Sequence, residues 1–117
     1  MDIAKFKELM SEEYASMTWY EAEDKINTIA SSATLSENLN ILQEELAELI
    51  QAVSKYNRNV PDSNYMLLEE MADVELAIWC VRTAMGLADE DMDHAYDIKL
   101  RRAYERIKKE GDKDGNE

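Results

Sequence analysis

The chain has 117 residues, with 26 Asp and Glu against 13 Lys and Arg, a formal charge of −13 and 45% hydrophobic residues. That length fits one domain and that hydrophobic share suffices for one core, while the negative balance disfavours nucleic acid polymers and membranes as partners, since both are held by cationic surfaces. Three Gly, one Pro and the lack of any strictly alternating stretch point to an all-α fold: an antiparallel bundle of four to five helices, one domain over residues 1–110 with a disordered polar tail at 111–117.

Residues 2–17 space Ile3, Phe6, Met10, Tyr14 and Met17 by three and four, which predicts an amphipathic helix. Thr18-Trp19-Tyr20-Glu21 is a capping box, so a second short helix is expected to about Ser31 with Trp19, Ala22, Ile26 and Ile29 inward; the two could equally be one kinked helix. Aromatic residues at this spacing read as core or dimer contacts ahead of base stacking. Thr34-Leu35-Ser36-Glu37 opens a third helix that ends near Asn57. The loop Asn57-Arg58-Asn59-Val60-Pro61-Asp62 follows, with Asp62 or Ser63 expected to cap the fourth helix. So short a connection returns that helix antiparallel to the third. Gly86 stops it, and Asp89 is the expected cap of a last helix over about 89–110.

The chemistry concentrates on the third and fourth helices. Glu45 and Glu48 lie about 60° apart on one helical face, as do Glu70 and Asp73. Each pair runs beside an apolar stripe: Leu39, Leu42, Leu46, Leu49, Val53 and Tyr56 on one helix, Leu67, Met71, Val74, Ile78, Val81 and Met85 on the other. If the stripes pack together, four carboxylates converge at the edge of the core. Their mutual repulsion and lost hydration call for a cation, and all-oxygen ligands suit a hard one, Mg²⁺ or Mn²⁺. Glu44 and Glu69 point further from the stripes, where each is a third ligand, a supporting group or plain surface. Against this stands the bland reading, in which a lone Glu-x-x-Glu on so acidic a chain is a solvated face.

The pattern Glu45-x-x-Glu48, 21 residues, Glu70-x-x-Asp73 resembles the signature of the MazG-like all-α nucleoside triphosphate pyrophosphohydrolases. The wording of residues 44–56 and 69–75 looks like their small single-domain members, and the resemblance covers roughly residues 36–108. It implies a Mg²⁺-dependent hydrolase that converts a (deoxy)nucleoside triphosphate and water into the monophosphate and pyrophosphate. Glu45, Glu48, Glu70 and Asp73 would be the metal ligands, with Glu44 or Glu45 handling the attacking water. It also implies a homodimer or homotetramer with sites near subunit junctions.

On the last helix Met92, Ala95, Ala103 and Ile107 mark an inward stripe, and Lys99 takes the slot between Ala95 and Ala103. An inward cation opposite a carboxylate cluster suits a phosphate chain, so Lys99 and Arg102 are the candidate substrate-binding residues; a snorkelling lysine and surface pairing are the structural alternative. Lys99-Leu100-Arg101-Arg102 also resembles a segment of the family's last helix, although Asp97 stands where many relatives carry Asn. Two other readings stay open: a dedicated substrate such as dCTP, dUTP or phosphoribosyl-ATP, and a helical interaction module whose acidic turns bind nothing.

Other chemistries find no support. His94 is the sole histidine, there is no Glu-x-x-His turn for a di-iron site, and no Gly-rich phosphate loop, nucleophile elbow or zinc spacing occurs. Cys80 follows Trp79 in an apolar run and reads as a buried thiol. With no basic-then-apolar leader and no apolar run near 18 residues, the expected location is cytoplasmic.

Overall fold

The computed structural model describes the backbone of residues 1–115 and the side chains through Gly111. Among these residues it is helical throughout, with no strand: α1 (Ile3–Ser11), α2 (Trp19–Ser31), α3 (Leu35–Asn57), α4 (Ser63–Met85) and α5 (Asp89–Gly115). They fall into two compact units, Met1–Gly86 and Leu87–Glu117. No helix among the described residues is long and apolar enough to cross a membrane.

The helix starts follow local capping chemistry. The side chains of Asp2, Thr18 and Thr34 accept hydrogen bonds from the backbone N–H groups of Ala4, Glu21 and Glu37. Thr34 Oγ1 also donates to Glu37 Oε1 at 3.1 Å, tying the first turn of α3 from both ends.

α1 ends at Ser11, short of the expected Met17, and α1 and α2 are separate helices. Glu12 is already extended, and its N–H closes on Leu9 O. The adjacent acids Glu12 and Glu13 would lengthen the helix against its own dipole, whose C-terminal end repels negative charge. A second departure concerns Asp62, which precedes α4 in the left-handed conformation (φ 64°) and makes no side-chain cap. Its carboxylate instead accepts from Lys7 Nζ of α1 at 2.9 Å, while its carbonyl takes the N–H groups of Tyr65 and Met66. Gly86 (φ 67°) closes α4 in the left-handed conformation expected of a glycine stop.

In the first unit α3 and α4 form an antiparallel hairpin, and α2 and α1 pack on α4. The residues that reach the interior are small: Ala30, Ala52, Val74, Ala77, Cys80 and Val81, with Asn38 and Ser63 beside them. Small side chains let the helices approach closely. On α3 the inward line is Asn38, Glu45 and Ala52, spaced by seven, and the Leu39–Tyr56 stripe is only partly covered. On α4 Val74 and Val81 are buried, whereas Met71, Ile78 and Met85 of the same stripe are exposed. The predicted stripes are therefore not the seam of this hairpin.

In the second unit α5 opens at Asp89 after Ala88, whose carbonyl accepts from Asp91 and Met92 N–H. Met92 is half-buried, and the described side chains from Asp93 to Gly111 are exposed. Of the segment read as a polar tail, residues 116 and 117 lie outside the described residues.

Candidate metal centre

The inward line of α3 meets α4 at its two acidic turns. One carboxylate oxygen each from Glu45, Glu70 and Asp73 lies within 4.8 Å of the others, the spacing of ligands around one cation. Glu48 is close enough to Glu45 and Glu70 to share a proton with either. Glu44 stays exposed on the flank of α3. The Oε2 atoms of Glu45 and Glu70 are closed off from solvent and find no hydrogen-bond partner among the described residues.

The electrostatics follow from that crowding. Burial first, then the charges of Glu48 and Asp73, raise the Glu45 carboxyl above its ordinary range. The same causes, with Glu45 added, push Glu70 up to about 7. A carboxylate that cannot shed its proton near neutrality among other carboxylates marks a place where positive charge is missing. The donor set is all oxygen and anionic, and two of its buried oxygens lack a donor, so these residues fit a hard divalent cation.

Two cavities flank the cluster. The larger, about 410 Å³, is bordered by Glu48, Glu69, Glu70, Gln51 and Lys55. The smaller, about 160 Å³, touches Glu45 and Asp73 and is walled by Ile29, Ile41, Leu76, Ala77 and Cys80. Asn38 stands at its edge, with its amide donating to Ala30 O (3.1 Å) and Thr34 O (3.0 Å) and so pinning the end of α2 to the start of α3. Burial pushes the Cys80 thiol up, which disfavours the thiolate and suits the wall residue that the sequence predicts.

Lys55 is the lysine that borders the larger cavity, and the sequence reading gave it no role. Its signal was present: it follows Glu48 by seven residues, two turns along the same face of α3. Lys99 and Arg102 belong to the second unit, where with Ala103 and Arg106 they border a shallow depression of about 230 Å³ along α5. Both are exposed, so the slot expected to turn Lys99 inward is a solvated position on its helix. Trp19 stacks on Trp79 with ring centroids 5.0 Å apart, and the Arg82 guanidinium lies 3.8 Å from the Trp79 ring centre. The first aromatic of α2 is thus a packing residue at the α2–α4 contact, while Tyr20 is exposed.

Comparison with protein-family models, with curated proteins and with solved structures returned no match.

Proposed function

We propose that this protein is a divalent-metal-dependent hydrolase of nucleoside triphosphates that releases the nucleoside monophosphate and pyrophosphate, working as a homo-oligomer. The observation that carries the reading is the Glu45, Glu70 and Asp73 cluster with its two orphaned buried oxygens, set between a cavity bordered by Lys55 and an apolar one.

In this reading Glu45, Glu48, Glu70 and Asp73 hold Mg²⁺, with Mn²⁺ as a substitute. The bound cation supplies neutralisation of the carboxylates, acidification of water and polarisation of the phosphoryl group. Glu45, whose proton affinity is raised, suits removal of a proton from water near neutrality, with Glu44 on the adjacent flank as the alternative base. Lys55 in the larger cavity, and Lys99 and Arg102 on α5, carry the charge that a departing pyrophosphate develops. The apolar cavity between Ile41 and Leu76 takes the flat, weakly polar end of the substrate, the base. A resemblance in wording between the two acidic turns and the MazG-like enzymes supports the same assignment.

The test is a panel of nucleotides with pyrophosphate detection, followed by turnover in ¹⁸O-labelled water. Attack at the α-phosphorus puts the label in the monophosphate. Label in pyrophosphate identifies β-attack, and release of orthophosphate with a nucleoside diphosphate overturns the assignment.

A further inference from the structure

We propose that a second copy of this chain packs on the face of the α3–α4 hairpin that points away from α1 and α2. The cavities locate the two sides. Ile41 and Leu76 face α2 across the smaller cavity, and Glu48 and Glu69 face α1 across the larger one. Leu46 lies about 140° around α3 from Ile41, and Met71 about 140° around α4 from Leu76, so both belong to the far side.

That far side is apolar and has a repeat. Leu39, Leu46 and Val53 follow one another by seven residues on α3, as Met71, Ile78 and Met85 do on α4. This is the period with which antiparallel helix pairs interlock into a left-handed four-helix bundle. Leu46 is 42% exposed, Val53 43%, Ile50 69% and Met71 55%. Together these side chains leave on the order of 700 Å² of apolar surface open, above what an isolated soluble chain usually shows and close to the ~800 Å² that each partner gives to a standard interface.

Two further observations select a second copy as the occupant. The described residues bury six hydrophobic side chains, none large, so the unit lacks the core that its composition could supply, and doubling the hairpin provides it. Each copy also carries a charge of −13, so two copies repel wherever their charged faces meet. The sector of α3 running through Leu39, Leu42, Leu46, Leu49, Ile50 and Val53 holds no charged residue, in a chain that is 33% charged. It offers a meeting surface without that like-charge cost.

Sedimentation and light scattering across micromolar concentrations test this without metal or nucleotide, so the outcome is separate from that of the hydrolase reading. The expected mass is twice 13.5 kDa. Leu46→Glu and Ile78→Glu should each weaken association at least tenfold, while Tyr20→Glu, outside the face, leaves it unchanged. Where a Glu variant loses its helical circular dichroism, Leu46→Ala and Met71→Ala should still raise the dissociation constant, and the wild-type melting temperature should climb with protein concentration. A wild-type monomer at every concentration overturns the proposal, whether solvent or α5 of the same chain covers the face. So does association that survives the substitutions at Leu46 and Ile78.

Discussion

Glu45 on α3 and Glu70 on α4 each turn an oxygen into the hairpin where neither water nor a donor among the described residues reaches it, although both carboxyls stand beside Asp73 and Glu48. Nothing in hydrophobic packing calls for this arrangement, and burying like charges together works against the fold. A bound cation would turn the same geometry from a cost into a stabilising contact.

Mg²⁺ or Mn²⁺ should therefore raise the melting temperature, since a ligand at 100 times its dissociation constant adds about 2.7 kcal/mol by mass action, several degrees for a chain of this size. Glu70→Gln keeps the shape and removes one charge. It should stabilise the metal-free protein, abolish the Mg²⁺ response and lower turnover by roughly 100-fold or more. Calorimetry with and without metal checks all but the last. An unchanged Mg²⁺ response in Glu70→Gln removes this residue from the site.

The metal-free protein should lose stability as pH rises. Glu70 has a folded-state pKa of about 7 against an ordinary value of 4.5, so the folded state holds its proton more tightly than the unfolded one. That contribution is fully present below about pH 4.5 and is lost as pH climbs through 7, on the order of 1–3 kcal/mol. Denaturant titrations between pH 5 and 8 should show the decline. Glu70→Gln should flatten it, leaving the smaller part due to Glu45.

Asn38 should be a stability residue of unusual weight for a polar side chain. It is buried, and its amide serves the carbonyls of Ala30 and Thr34. Asn38→Ala leaves those carbonyls without their donor and should cost about 1–3 kcal/mol. Asn38→Asp should cost more, because a carboxylate would face carbonyl oxygens. Urea midpoints of the two variants rank them.

The cations can be separated by kinetics. Lys55→Met and Lys99→Met keep the apolar stem, so a lysine with a merely structural role tolerates the change. A phosphate contact should lose about 2–4 kcal/mol of transition-state stabilisation, one or more orders of magnitude in kcat/KM. A loss in Lys55→Met alone would put the phosphates in the cavity of the first unit. A loss in Lys99→Met would bring α5 into the site.

The sequence by itself determined the helices. Thr18, Thr34, the Asn57–Asp62 loop and Gly86 are signals read within a few residues, and backbone hydrogen bonding acts over that range. It also determined which acids meet, because a short loop makes α4 antiparallel and the two acidic turns sit at matching distances from it. Local signals erred where a tertiary partner competed, as when Lys7 took the carboxylate of Asp62 that would have capped α4.

Only the tertiary structure decided which face of the hairpin turns inward. Periodicity marks a stripe as apolar but does not say what covers it, and here close approach through Ala52, Ala77 and Cys80 drew the Asn38–Glu45–Ala52 line inward in place of the larger leucines. That rotation buries oxygens of Glu45 and Glu70, opens the two cavities beside them and brings Lys55 to the edge of one. Each depends on the approach of residues distant in the chain, which spacing along one helix does not encode.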